Sequence, residues 1–446
     1  GRVMAANKRY RILRWISAAC FFFIFIASFT GLCRFCALAM HIEFVPAVLR
    51  WMTGVSAGAV AVTFFHFLLA RCAGRVYCSI LCPLGIMQDI AGLIPLAKNR
   101  PRRDFVPLRF GICGVVSGIL VSGSAAGFYW LDPYTLAGRS IAALLLGGTL
   151  PVALILLATF WRRRAFCTYI CPAGTFLGLL SRSGVWQLEI SESCVNCKKC
   201  VKACPAGCID IEQKNIDNER CLRCMQCVSA CPVKAVSPVR KQEKTAISRR
   251  EFLKRSLWAG AGLIAGMVIT RTGLWKKLFV PAPDDLIYPP GAADRESFLR
   301  KCTGCLLCVK ACPQKIIVPD KHGAGTVRLK LDGSFCSYDC NRCGDICPTG
   351  AIRPLPLNVK RRVAIAKAKF DPTVCLVYQE GEQCGKCARA CPAGAITLRR
   401  GAPRFKANLC IGCGACRTAC PTEAFSITPL REQQPLDIQA TENKKG

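Results

Sequence analysis

The sequence predicts a membrane α-helical bundle of four helices plus a fifth anchor helix, joined to small cysteine-rich α+β domains. Two observations carry this prediction: several apolar segments are about as long as a bilayer is thick, and most of the 34 cysteines recur at fixed spacings. Over 446 residues the chain is 52% apolar and has a mean hydropathy of +0.31. This balance excludes an ordinary soluble globular protein.

Four uncharged segments form the predicted bundle. They lie between Arg14 and Arg34 and at residues 51–70, 110–131 and 140–161. Basic residues precede the first, separate the second from the third and follow the fourth. The positive-inside rule therefore places these three basic regions in the cytoplasm.

The second and fourth segments end in similar motifs, which indicates a duplicated helix pair. Both motifs have the pattern R-x2-C-x3-C-P. The first contains Cys78 and Cys82 and the second contains Cys167 and Cys171, so corresponding cysteines are 89 residues apart. A C-x3-C spacing places two thiols on one face of a helix. Four thiols at the cytoplasmic surface could hold an additional iron-sulfur cluster, form redox-active disulfides or pack as small apolar residues.

Few ionisable residues lie in the predicted bundle. A membrane cytochrome b needs pairs of axial histidines on facing helices, and the chain has only 3 His and no C-x-x-C-H motif, so haem is not expected. Buried ionisable groups in membranes often serve function. His66 and Asp89 are therefore candidates for a quinone or proton site, as are Glu43 and Asp132.

The next region carries two regular cysteine motifs of the C-x2-C-x2-C-x3-C-P type, typical of bacterial two-cluster ferredoxins. In that fold, three cysteines of one motif share a cluster with the fourth of the other. The predicted ligand sets are Cys194, Cys197, Cys200 and Cys231 for one [4Fe-4S] cluster, and Cys221, Cys224, Cys227 and Cys204 for the second. A zinc site has no use for the fourth Cys-Pro, so zinc is not expected.

Four more cysteine motifs follow and predict four further clusters. Two are regular and two have a longer first gap: Cys302, Cys305, Cys308, Cys312; Cys336, Cys340, Cys343, Cys347; Cys375, Cys384, Cys387, Cys391; and Cys410, Cys413, Cys416, Cys420. All keep the final C-x2-C-x3-C-P. Either neighbouring motifs pair, or one ferredoxin fold is inserted into another. Cys33-Arg-Phe-Cys36 is either a disulfide or an inert pair, and Cys208 has no assigned task.

Between the two cysteine-rich regions, residues 248–254 read S-R-R-E-F-L-K and an apolar stretch follows. This resembles a twin-arginine translocation signal, which exports folded proteins. The alternative is a basic flank before a fifth helix, and either interpretation places the C-terminal part outside. Without an evident cleavage site, we expect the segment to remain as an anchor.

With these motifs in view, residues 1–187 and 188–240 resemble the NapH family of membrane ferredoxins. Residues 286–446, after the anchor at 241–285, resemble the exported four-cluster NapG family. The segment from Cys375 to Cys387 is the most specific match, whereas the C-x3-C gap at Cys336 departs from the family spacing. The resemblance implies a fused quinol dehydrogenase of the inner membrane, with its N-terminus cytoplasmic and its last domain periplasmic.

The resemblance also implies the partners: lipid, the quinone pool, and a periplasmic cytochrome c or terminal reductase. Six clusters are expected, two cytoplasmic and four periplasmic. A seventh at the C-x3-C-P motifs is one of the three alternatives left open above for those thiols. Six clusters with about two negative charges each would reduce the formal +34 to roughly +22, so nucleic acid is not an expected partner. The alternatives are a membrane ferredoxin for metalloenzyme maturation or redox regulation, or the reverse flow from a periplasmic dehydrogenase to quinone.

Overall fold

The computed structural model describes residues 2–30, 40–52, 54, 57–93, 104–125, 128–144, 150–161, 163–240, 248–274, 286–320 and 326–436. The chain forms two compact units, Gly1–Trp275 and Lys276–Gly446. The first unit contains the helical module, the first ferredoxin-like domain and the helix Arg249–Arg271, and it ends within the predicted domain 241–285. The Cys33–Cys36 pair lies outside the described residues.

The first unit is rich in helices. Its described helices are α1 (Arg2–Thr30), α2 (Phe44–Met52), α3 (Ala57–Ala73), α4 (Tyr77–Ile80), α5 (Pro83–Ala91), α6 (Val106–Val121), α7 (Phe128–Leu131), α8 (Pro133–Leu144), α9 (Leu150–Trp161), α10 (Ala165–Tyr169), α11 (Pro172–Arg182), α12 (Lys199–Ala203), α13 (Gln226–Ala230) and α14 (Arg249–Arg271). A 3-10 helix, Met40–Ile42, precedes α2.

Two of these helices are long and apolar enough to cross a bilayer: the Arg9–Thr30 part of α1, and α14. The apolar helices α3 and α6 are shorter. The predicted third segment, 110–131, is not one helix, because α6 ends at Val121 before Gly123, whose φ of 80° breaks the helix. Of the predicted fourth segment, 140–161, the structure describes residues 140–144, which end α8, and residues 150–161, which form α9. Among the residues that the structure describes, two helices are therefore candidates to cross a membrane, and α6 is shorter than the uncharged segment that predicted it.

Helices α6 and α14 pack together through glycines spaced four residues apart. A Cβ atom built on Gly118 would lie 2.1 Å from the Leu263 carbonyl oxygen, and one on Gly262 would lie 2.3 Å from the Gly111 carbonyl oxygen. Gly114 and Gly266 meet the opposite backbone equally closely. Only glycine permits this separation, which is the small-residue packing typical of membrane helix pairs.

The first ferredoxin-like domain follows α11. Strand β1 (Trp186–Ile190) pairs antiparallel with β4 (Val236–Arg240), and β2 (Ile209–Asp210) pairs with β3 (Asn215–Ile216). The short helices α12 and α13 lie between these strands and carry cysteines of the two motifs. This strand and helix order is the ferredoxin arrangement that the spacing predicted.

The second unit repeats this pattern. Its helices are α15 (Arg295–Lys301), α16 (Leu307–Ala311), α17 (Arg342–Asp345), α18 (Leu357–Lys360), α19 (Leu376–Gln379), α20 (Lys386–Ala390) and α21 (Ala415–Ala419). Its strands are β5 (Ile317–Pro319), β6 (Val327–Leu329), β7 (Val363–Phe370), β8 (Ile396–Arg399), β9 (Ala402–Phe405) and β10 (Phe425–Pro435). They form the antiparallel pairs β5–β6, β7–β10 and β8–β9.

Candidate iron-sulfur sites

The regular cysteine motifs share one local structure. A residue in the left-handed region begins a five-residue helix, as Lys198 (φ 58°) does for α12 and Leu306 (φ 64°) for α16. The third cysteine of the motif lies in the first turn of that helix. The fourth, such as Cys204 (φ −80°, ψ 111°), is extended because proline follows it. The turn brings the first three thiols of a motif together, and the proline directs the fourth thiol away from its own helix.

In the first unit, each cysteine motif has the fourth cysteine of the other motif among its electrostatic neighbours, and Cys227 also interacts with Cys200. Cys200 interacts electrostatically with Cys194, Cys197 and Cys231. Cys227 interacts with the second set: Cys221, Cys224 and Cys204. Each group therefore contains three cysteines of one motif and the fourth of the other, which is the ligand pattern of a two-cluster ferredoxin. The two ligand sets stay a prediction.

In the second unit, neighbouring motifs exchange their fourth cysteines. The structure brings together Cys302, Cys305, Cys308 and Cys347; Cys336, Cys340, Cys343 and Cys312; Cys375, Cys387 and Cys420; and Cys410, Cys413, Cys416 and Cys391. Cys384 precedes α20 and completes the third motif. Sequence alone left the pairing open, and the structure pairs the first motif with the second and the third with the fourth.

The two pairs of motifs meet at Cys336 and Cys413, where the Cys336 N–H donates to the Cys413 carbonyl oxygen at 2.9 Å. The Lys360 ammonium lies beside this contact, is 2% exposed, and donates to the carbonyl oxygens of Ser337 and Tyr338. A buried cation between two thiolate groups offsets their negative charge. The first pair of motifs in the second unit is therefore in direct contact with the second pair.

The thiol groups fit four-iron clusters chemically. Their donors are soft cysteine sulfurs, many of them buried. Backbone N–H groups donate to several of these sulfurs, for example from Ala235 to Cys231 at 3.2 Å and from Ile352 to Cys347 at 3.4 Å. When bound, such clusters accept and donate single electrons at potentials tuned by these hydrogen bonds. Among the described residues, no three metal-binding side chains lie close enough to share one metal ion.

Cys208, to which sequence reasoning gave no task, contacts two predicted ligands of one cluster. It is 4% exposed, its sulfur lies 3.6 Å from that of Cys204, and it is also hydrogen bonded to Cys221. This hydrogen bond lowers the pKa of the Cys221 thiol to about 6. Cys208 is therefore placed to donate S–H hydrogen bonds to cluster thiolates.

We expect Cys208→Ala to lower the reduction potential of the cluster held by Cys221, because losing a donor destabilises the more negative reduced state. The expected shift is on the order of 50 mV, close to a tenfold change in a one-electron equilibrium. EPR-monitored redox titration measures it. Cys208→Ser keeps a donor and should shift the potential less. Equal potentials in wild type and Cys208→Ala would contradict this role.

The four thiols of the C-x3-C-P motifs form a separate centre, here called the thiol centre (Cys78, Cys82, Cys167 and Cys171). Each of the four residues is 3–5% exposed. Burial raises the pKa of the Cys82, Cys167 and Cys171 thiols. The structure thus brings the two halves of the duplication together around these thiols.

Asp89, a predicted proton-site candidate, pairs with arginines beside the thiol centre. Its carboxylate accepts two hydrogen bonds from Arg164, at 2.8 and 2.7 Å, and a longer one from Arg14 at 3.4 Å. Burial alone would raise the pKa of this carboxyl, but the two arginines hold it below its ordinary value. Asp89 therefore orients Arg164, and its predicted role in proton transfer stays a prediction.

His66, the other candidate, lies in a buried polar cluster. Its Nδ1–H donates to the Val62 carbonyl oxygen at 2.8 Å, which leaves Nε2 as an acceptor, and its ring lies 5.2 Å from that of Tyr77. The Tyr77 hydroxyl donates to Glu43. His66 Nε2 and Glu43 Oε1 are buried without hydrogen-bond partners. Asp132, in contrast, caps α8 by accepting from the backbone N–H groups of Tyr134 and Thr135.

The fold and these thiol groups define an iron-sulfur electron-transfer protein of the ferredoxin type. Comparison with family models agrees. The 4Fe-4S dicluster domain matches residues 193–244, 301–351 and 381–424, and a second model, the 4Fe-4S binding domain, matches residues 51–102 and 143–189. The second model covers both C-x3-C-P motifs.

The chain belongs to the family of ferredoxin-type proteins that includes the methylamine utilization protein MauM. It is 31% identical to MauM of Methylobacillus flagellatus over 180 residues, which are 37% of this chain and 70% of MauM. It is 29% identical to MauN of Paracoccus denitrificans, over 33% of this chain and 53% of MauN. It is also 29% identical to the ferredoxin-type protein NapH of Escherichia coli, over 33% of this chain and 52% of NapH. The chain thus spans about half the length of MauN and NapH.

Sequence reasoning missed two features of the site. Arg75 and Arg164 each precede the first cysteine of a C-x3-C-P motif by three residues, so the duplication itself contained the signal. The second feature is Glu219, which forms ion pairs with arginines from three different helices. The sequence contains no signal for these pairs, because the helices are distant along the chain.

Proposed function

We propose that this chain is a membrane-bound quinol dehydrogenase that passes electrons from the quinol pool to a periplasmic cytochrome c or terminal reductase. In this proposal it combines a NapH-like membrane part with a NapG-like exported part in one polypeptide. The proposal extends the electron-transfer class that the family matches support.

The observation that carries the proposal is the closeness of the thiol centre to the first ferredoxin-like domain. Arg14 of α1 donates to the Ser79 carbonyl oxygen, next to Cys78, and pairs with Asp89. The same guanidinium interacts electrostatically with Cys224, a predicted ligand of the second cluster. A redox group at the thiol centre and a cluster held by Cys224 would therefore both lie near Arg14. Electron transfer from the helical module to the ferredoxin-like domain requires such closeness.

The buried cluster of Glu43, Tyr77 and His66 supports quinol as the donor. Oxidation of a quinol to a quinone releases two electrons, which leave one at a time, and two protons. Glu43 Oε1 and His66 Nε2 are free to accept these protons. Glu43 also interacts electrostatically with Cys82. Proton acceptors thus lie beside the thiols nearest to the proposed electron entry.

The proposed topology places the N-terminus and residues 188–240 in the cytoplasm and the second unit in the periplasm. An uncleaved α14 would connect the two sides. Two helices of sufficient length, α1 and α14, support this arrangement. The twin-arginine pair Arg249 and Arg250 is exposed at the start of α14, where a translocation receptor could contact it.

Anaerobic addition of a quinol analogue to the purified full-length chain should reduce its clusters, which EPR spectra record. We expect His66→Leu to slow this reduction about 100-fold, because a positioned base typically contributes two to four orders of magnitude. Reduction by dithionite should remain unchanged.

His41→Gln is the matched control, since His41 contacts Arg50 and lies outside the proposed proton site. The control should react like the wild type. Reduction by dithionite without any reduction by quinol would overturn the proposed donor. Reduction by a periplasmic electron donor, followed by quinone reduction, would reverse the direction.

A further inference from the structure

The second C-x3-C-P motif of the helical module has the local structure of half a ferredoxin motif. Helix α10 is five residues long, begins after Arg164 in the left-handed region (φ 56°), and carries Cys167. Cys171 follows with φ −62° and ψ 114° before Pro172. Helix α12 and Cys204 of the ferredoxin-like domain show the same sequence of conformations. The first motif repeats only the second half of this pattern: Cys82 is extended before Pro83 (φ −66°, ψ 114°), but Val76, before α4, is right-handed (φ −61°). The fourth-cysteine geometry of a ferredoxin motif is thus common to both C-x3-C-P motifs.

Hydrogen bonds to sulfur are a second similarity between the C-x3-C-P motifs and the ferredoxin motifs. The Gly174 N–H donates to Cys171 Sγ at 3.2 Å, as the Ala235 N–H does to Cys231 Sγ. The Gln88 amide donates to Cys167 Sγ at 3.3 Å. Buried sulfurs that accept such bonds are characteristic of cluster-binding thiolates.

Two arginines cross between the halves of the duplication and hold the thiol centre together. Arg75 of the first half donates to the Cys167 carbonyl oxygen at 3.1 Å, and Arg164 of the second half donates to the Cys78 carbonyl oxygen at 2.8 Å. Each guanidinium also lies 3.8 Å from a sulfur of its own motif. Neither half can therefore form this centre alone.

The charges of the two arginines are not matched by carboxylates. Arg164 of the second half pairs with Asp89 of the first half. By the duplication, Arg75 would pair with the residue that corresponds to Asp89 in the second half, but that residue is Gly178. Within the described residues, Arg75 has no ion-pair partner. Its side chain is 2% exposed, and its Nε has no hydrogen-bond acceptor. Burying a guanidinium without an anion costs several kcal/mol, and negative charge on the neighbouring thiol centre would offset this cost.

We propose that Cys78, Cys82, Cys167 and Cys171 together hold one additional [4Fe-4S] cluster, shared between the two halves, with Arg75 as its counter-charge. A cluster with four thiolates carries a net negative charge, whereas a disulfide or four neutral thiols would leave Arg75 uncompensated. The proposal assigns one cluster to the pair of motifs rather than one to each. It does not depend on quinol as the donor or on the direction of electron flow.

Iron and acid-labile sulfide per chain test this site in the anaerobically purified full-length protein. Cys78→Ser/Cys167→Ser should lose about four irons and four sulfides relative to the wild type. Arg75→Gln should show the same loss, and Arg75→Lys, which keeps the charge, should retain the cluster. The iron that remains in the ferredoxin-like domains reports in each variant that the chain is folded.

Cys72→Ser is the matched control, because Cys72 is exposed at the end of α3 in the same half. Its iron content should equal that of the wild type. Unchanged iron in the double cysteine variant, or a disulfide among the four cysteines in the purified wild type, would overturn the proposal. Loss of iron in Arg75→Lys equal to that in Arg75→Gln would overturn the role given to charge.

Discussion

Replacing Glu219 with Gln is expected to destabilise the first unit by about 3–5 kcal/mol, the usual cost of breaking a buried ion pair. Glu219 is 2% exposed and pairs with Arg109 of α6, Arg182 of α11 and Arg255 of α14, the last at 2.5 Å. The neutral amide would leave these buried guanidiniums with less counter-charge. Thermal unfolding of the purified protein should show a Tm lower by about 10 °C.

Glu192→Gln is the matched control. Glu192 belongs to the same ferredoxin-like domain and pairs with Lys214 at 2.6 Å, but it is 93% exposed. Solvent screens such a pair, so the Tm should not change measurably. If the two variants had the same Tm, the cluster around Glu219 would not be holding the ferredoxin-like domain to the helices.

The ferredoxin motifs could be predicted from sequence because ligand spacing is a local property. Proline after the fourth cysteine fixes the extended backbone. A left-handed residue permits the turn before the short helix of each regular motif, whereas Asn341, in the irregular second motif of the second unit, has φ −126°. The exchange of Cys231 and Cys204 between motifs also followed from the spacing. In the structure, Cys231 is an electrostatic neighbour of Cys200, and Cys204 is one of Cys227.

The helical module was predicted less well, because hydropathy measures composition and not helix continuity. Residues 110–131 are uncharged throughout, yet α6 ends where Gly123 takes a positive φ. Glu43 precedes α2 in the sequence, but its carboxylate meets Tyr77, which follows α3. Long-range polar contacts of this kind leave no periodic pattern, so they required the structure.

The second large effect is expected at the contact between α6 and α14. Gly262→Leu would place side-chain atoms where the Gly111 carbonyl oxygen lies, 2.3 Å from the new Cβ. The helices would have to separate, which costs more than about 3 kcal/mol by the usual penalty for overpacking. We expect loss of the folded protein in detergent, measured by size-exclusion chromatography and by the yield of cluster absorbance.

Gly260→Leu provides the comparison within the same helix. A Cβ atom at Gly260 would meet nothing within 4 Å, so this variant should fold like the wild type, and leucine has a higher helix propensity than glycine. The pair of variants separates two views of α14. A removable signal segment would tolerate leucine equally at both positions, whereas a helix that belongs to the bundle tolerates it only at Gly260. The close glycine contacts favour the second view, because a segment destined for removal has no need to fit α6 so closely.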